Sequence, residues 1–205
     1  MAEHVSAPEV SAEQGLQRLV EGNNRFMRGE ARFPTVCKET LADLARGQKP
    51  FATILGCSDS RVPPELIFDA NFGELFIIRV AGNVISNEVK GSLQYAGAHL
   101  RTPLFLVLGH EGCGAVSAAL HFRRSAELQR SYIQILIDNI AAGLPEALDG
   151  DGDDAMPAAV EANVRWSVEQ IRSTPEWQQN AAKAGGKIVG AVYHITSGEV
   201  EFLDV

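Results

Sequence analysis

The stretch Phe51-Ala52-Thr53-Ile54-Leu55-Gly56-Cys57-Ser58-Asp59-Ser60-Arg61 decides how this chain is read. An apolar run suited to a buried strand gives way at a glycine to a thiol, a carboxylate and a guanidinium. The pattern recurs at Leu104-Phe105-Leu106-Val107-Leu108-Gly109-His110-Glu111-Gly112-Cys113-Gly114. Between the two lies the run Glu74 to Val80, which also reads as a strand. From about Asn87 to Leu100, Val89, Leu93, Tyr95, Ala96 and Leu100 recur at helical spacing. Strand, helix and strand alternate, which predicts an α/β fold with a mostly parallel sheet, right-handed crossovers and helices on its faces.

Working outward, Leu16, Leu19, Val20, Asn23, Phe26 and Met27 mark an amphipathic helix that stops at Gly29 and must dock on its own core or on a partner. A short helix is expected at Lys38 to Arg46. Further helices are expected at Gly112 to Phe122, Glu127 to Ala142, Ala158 to Ser173 and near Glu176 to Ala184. Lys187 to Ile195 and Glu199 to Leu203 read as a closing hairpin on the sheet. The expectation is one domain over 1–205, with an N-terminal helical arm at 1–46 and a core at 50–205.

The 205 residues carry a formal charge of −8, which opposes binding to nucleic acid or anionic membranes. No run suits a transmembrane helix, and Met1 to Val10 lacks the positive start and apolar centre of a signal peptide, so a cytoplasmic protein is expected. Of the three cysteines, two sit beside Asp, His and Arg, which suits a metal or catalytic site in a reducing compartment. Cys37 reads as a spectator. Asp149 to Val160 imitates a calcium loop, but Asp154 and Val160 stand where Gly and Glu are required, so a solvated acidic loop is expected.

Ligands of doubly wound sheets sit at the carboxyl ends of strands, where the winding reverses. If the second and third strands flank the first, Cys57, His110 and Cys113 converge there. Two thiolates and an imidazole select zinc, and three protein ligands leave a fourth position open, the mark of a catalytic site. Asp59 and Arg61 are close enough to pair beside the metal. The carboxylate then orients zinc-bound water, or, if freed, becomes a fourth ligand and closes the site. Because two thiolates offset the ion's charge, activity is expected to favour alkaline pH.

Cys57 to Val62, Glu65, Gly73 to Arg79, Ala81-Gly82-Asn83 and Gly109 to Gly114 together resemble a β-class carbonic anhydrase. The likeness is dense from about Pro50 to Leu120 and extends more weakly to Gly22–Phe26, Glu161–Val164 and Gly190–Tyr193. It implies a sheet of order 2-1-3-4 with an antiparallel edge strand 5, one zinc per subunit on Cys57, His110 and Cys113, and reversible hydration of carbon dioxide to bicarbonate. Asp59 and Arg61 would orient the zinc hydroxide. Gln48, Phe76, Tyr95 and the backbone N–H of Gly114 would line the substrate pocket. The resemblance also implies a homodimer or dimer of dimers, with Gln48 supplied by the neighbour. Ile54 stands where allosteric members carry a Trp that, with residues matching Arg79 and Tyr193, holds a regulatory bicarbonate, so that property is not carried over. Three other readings use the same residues: a carbonyl sulfide or carbon disulfide hydrolase, a thiol enzyme with Cys57 as nucleophile and His110 as base, and a non-catalytic zinc or anion-binding module.

Overall fold

A computed structural model describes residues 10–32, 38–149, 155–175, 177–178 and 185–204. Cys37, the acidic run 150–154 and most of the helix expected at 176–184 lie outside them. The sheet has five strands in the order β2-β1-β3-β4-β5, as the resemblance implies. They are β1 Ala52–Gly56, β2 Leu75–Arg79, β3 Leu104–His110, β4 Lys187–Tyr193 and β5 Val200–Leu203. β1 runs parallel to both β2 and β3, β3 is parallel to β4, and only the β4–β5 pair is antiparallel.

Every residue of β1 and β3 is buried, which is why both read as unbroken apolar runs rather than alternating ones. Burying each Leu or Ile of this layer contributes roughly 1.5–3 kcal/mol. β2 is half-buried at the open edge. The helices are α1 Ala12–Met27, α2 Lys38–Leu44, α3 Pro64–Ile67, α4 Asn87–Tyr95, α5 Gly114–Ser125, α6 Ser131–Ala141 and α7 Ala155–Arg172. Among the described residues none is long and apolar enough to cross a membrane.

Two expectations are adjusted. The single helix read over Asn87 to Leu100 is α4 followed by a wider π turn, Ala96–Leu100, that ends at Arg101 in the left-handed region. The third strand runs two residues further than its apolar run, to His110, because β4 continues pairing up to Tyr193.

Helix α1 begins with a capping box in which Ser11 and Gln14 each satisfy the other's backbone N–H. It docks on its own core. Leu19 is fully buried, and a Cβ at Gly22 would lie 1.8 Å from the Phe68 carbonyl oxygen, so only glycine permits this approach. Buried Asn23 donates to the carbonyls of Ile67 and Gly198 and accepts from the Val200 N–H, tying the arm to α3 and to the terminal hairpin. Asp69, its side chain buried, receives Arg25 and Arg32. Burial raises its pKa, but these donors outweigh burial and lower it overall.

Candidate metal centre

The carboxyl ends of β1 and β3 are adjacent, as the register Gly56↔Leu108 requires. Cys57 follows β1, His110 ends β3, and Cys113 caps the N-terminus of α5. One ligand atom from each lies within 4.8 Å of the others, and all three residues are buried. The convergence expected from the sequence is therefore present within one chain.

Electrostatics agree with a cation site. The Cys57 thiol is pulled down to about 4, chiefly by its hydrogen bond with Cys113, against burial and with help from His110 and the backbone at Gly82 and Asp59. That bond and burial push Cys113 up, although the Ala115 and Val116 amides of the α5 terminus favour its thiolate. The two sulfurs thus share one proton, and a cation would displace it. His110 bonds the Glu111 carbonyl through Nδ1 at 2.9 Å, which assigns the proton to Nδ1. Its Nε2 is buried without a hydrogen-bond partner, as a metal-ligating nitrogen must be. Burial pulls the imidazole pKa down, but Cys57, Glu111 and Asp59 outweigh it and raise it overall. The donor set fits zinc.

Asp59 sits at the edge of this group, with Oδ2 4.0 Å from His110 Nε2. Arg61 holds it through three bonds: backbone N–H to Oδ1 at 3.0 Å, Nε to Oδ1 at 2.9 Å and one terminal nitrogen to Oδ2 at 2.7 Å. These hold the carboxyl well below its usual range. In this structure Asp59 is engaged with Arg61. Arg79, at the end of β2, donates to the carbonyls of Cys57 at 2.8 Å and Asp59 at 2.6 Å, so it is committed to holding the loop. Ile54 is fully buried.

Of the expected pocket residues, Gly114 directly follows Cys113 at the start of α5, whereas Gln48, Phe76 and Tyr95 lie toward the other end of the sheet in this chain. Gln48 is exposed on the turn before β1. Phe76 pairs with Thr53 near the start of β2, and its ring lies 6.1 Å from that of Tyr95, which is 47% exposed. Gly114 opens α5 with nothing within 4 Å of the space a Cβ would take. Glu111, exposed beside His110, accepts from the Thr196 N–H and hydroxyl at 3.1 Å each and pins the turn between β4 and β5. The Ala81–Asn83 turn, legible in the sequence as a motif, has a role that its spacing does not reveal: its Gly82 N–H points at Cys57 Sγ, 3.4 Å away.

Fold and site define a metalloprotein with a Cys–His–Cys centre at the switch point of a parallel α/β sheet. The family model for carbonic anhydrase matches residues 52–200. Carbonic anhydrase 2 of Mycobacterium tuberculosis is 36% identical over 200 residues, covering 96% of this chain and 95% of that protein. The carbonic anhydrase of Mycolicibacterium smegmatis is 37% identical over 187 residues, 89% of each chain. The solved structure of the β-carbonic anhydrase CcaA superposes with a TM-score of 0.75 at 28% identity, covering 92% of this chain and 95% of that one. The chain belongs to the carbonic anhydrase family, in its β class.

Proposed function

We propose that this protein hydrates carbon dioxide reversibly to bicarbonate and a proton, with Cys57, His110 and Cys113 as zinc ligands and Asp59 and Arg61 as the orienting pair. The observation that carries the reading is the trio of donors within 4.8 Å, with an unpartnered Nε2, beside a carboxylate clamped by arginine. Zinc, when bound there, would supply the Lewis acidity that lowers the pKa of water far enough to make it a nucleophile.

The side chains divide the remaining work. Asp59, kept ionised by Arg61, is too weak a base to take a proton and acts as an acceptor that fixes the direction of the attacking lone pair. Arg61 holds both carboxylate oxygens and so limits the rotation of Asp59. Arg79 fixes the backbone from which Cys57 and Asp59 project. Gly114 leaves open space at the N-terminus of α5, where backbone N–H groups suit a bicarbonate oxygen.

Gln48, Phe76 and Tyr95 support a homo-oligomer, a dimer or a dimer of dimers. Gln48 precedes a five-residue strand that spans roughly 17 Å, and the site is at that strand's other end. Phe76 is about 10 Å from the carboxyl end of β2 by the same rise. Phe76 and Tyr95 lie together at the open edge strand β2, and Phe72, on the turn that leads into β2, is 58% exposed. A neighbouring copy across that edge would receive Gln48, Phe76 and Tyr95 in its own pocket. Paired thiols suit a reducing compartment, so we place the protein in the cytoplasm.

Stopped-flow assays of zinc-loaded and zinc-stripped protein, with carbon dioxide and with carbonyl sulfide, test the reading. Hydration of carbon dioxide that vanishes on stripping and returns with zinc is expected. A preference for the sulfur substrate would reassign the chemistry, and activity that survives stripping would make Cys57 a nucleophile instead.

A further inference from the structure

Helix α7 presents an apolar face to the sheet through Ala159, Val160, Val164, Val168 and Ile171, yet Asn163 and Ser167 are buried on that face, 2% and 1% exposed. Four residues apart, they meet the Ala81–Asn83 turn. Asn163 Nδ2 donates to the Gly82 carbonyl at 2.9 Å. Asn83 Nδ2 donates to Ser167 Oγ at 3.3 Å, and that hydroxyl donates back to the Asn83 carbonyl at 3.2 Å.

The turn needs such holding. Gly82 and Asn83 are consecutive residues in the left-handed region, with φ of 66° and 45°, and the second is not a glycine. A Cβ at Gly82 would lie 2.6 Å from Ile140 Cδ1 and 3.0 Å from Ala115 Cβ, so glycine is required, and glycine is the residue with most backbone freedom. The carbonyl that Asn163 fixes and the N–H aimed at Cys57 Sγ belong to the two peptide planes that meet at Gly82. Fixing one plane limits how the other swings.

The geometry points to Asn163 as a positioning residue for the zinc ligand Cys57, acting through the Gly82 amide with Ser167 and Asn83 as its support; this rests on the zinc reading above. An amide N–H on a thiolate draws charge from sulfur and fixes its lone pairs, which changes how tightly the sulfur holds a metal. Apolar residues at 163 and 167 would fill the same helix face, but they could not hold this turn.

The test uses the full-length protein and two readouts besides activity: the rate of zinc transfer to a chromophoric chelator, and the thiolate-to-cobalt charge-transfer band of the cobalt-substituted protein. Asn163→Ala is expected to release zinc about 10-fold faster or more and to shift the cobalt band, while keeping native circular dichroism. Ser167→Ala, which retains the bond from Asn163 to Gly82, is expected to move both readouts the same way by less. A folded Asn163→Ala with wild-type release and an unshifted band overturns the relay, whatever its melting temperature. If Asn163→Ala does not fold, Ser167→Ala decides by the same criterion. A wild type that holds no zinc sinks the zinc reading itself; a zinc-holding wild type with unchanged variants sinks only the relay.

Discussion

The two ends of the sheet differ in what one chain supplies. At the carboxyl ends of β1 and β3, Cys57, His110 and Cys113 are buried and mutually within 4.8 Å, with Asp59 locked by Arg61 beside them. Toward the amino ends, Gln48 and Tyr95 are exposed, and Phe76 rests against Tyr95 at an open edge. Groups that must hold a metal and aim a nucleophile to within fractions of an ångström come from rigid strand ends of one subunit. On the reading proposed above, the groups that only line a pocket are left for a second copy to use.

Removing a ligand should break the complete end most severely. Cys57→Ser is expected to lose zinc and to cut hydration by 1,000-fold or more, on the order of a lost metal centre. Metal analysis beside stopped-flow kinetics checks this; zinc retained at one per subunit would contradict it.

The incomplete end is sharpened by mixing subunits. Gln48→Ala alone should lower kcat/KM by about tenfold with zinc content unchanged, the scale of one lost pocket hydrogen bond. Refolding it together with Asp59→Asn should regain activity, because half of the randomly paired dimers would carry one site free of both changes, returning about a quarter of wild-type activity. No gain above the separate variants would place Gln48 in its own subunit's pocket and remove the contrast between the two ends.

A smaller effect is expected in stability, at the anchor of α1. Asp69 has a folded pKa below its unfolded value, so its contribution is present above about pH 4 and fades as pH falls through the folded value. Asp69→Asn should therefore cost about 2 kcal/mol near neutral pH and make urea unfolding less sensitive to acid below about pH 4. Equal acid sensitivity in both proteins would show that Arg25 and Arg32 do not favour the charged form.

Much of the site was legible because strand ends advertise themselves. Apolar runs that stop at Gly56 and Gly109 fix where side chains leave the core, and the soft donors follow at once. The Asp59–Arg61 pair is local, so spacing alone exposes it. Asn163 was not legible in that way, since its partner Gly82 is 81 residues distant and its bond is to backbone, which carries no sequence signature. A signal did exist: Asn163 and Ser167 interrupt an apolar stripe at a spacing of four, and buried polar residues require partners. Glu111 escaped for a similar reason, because its partner Thr196 comes from the turn between β4 and β5. The π turn at Ala96–Leu100 keeps helical periodicity closely enough that sequence spacing alone merges it with α4.

On the proposed reading, Asp59 orients the water that attacks carbon dioxide, beside a zinc that Cys57, His110 and Cys113 would hold. Asp59→Asn keeps the shape of the side chain but weakens it as an acceptor and loosens its grip on Arg61. Zinc content measured beside the stopped-flow rate of carbon dioxide hydration tests this most directly. The account predicts one zinc per subunit and a rate lower by 100-fold or more, the scale of ~100- to 1,000-fold for one lost preorganised hydrogen-bonding group. Zinc retained with near wild-type hydration would contradict it.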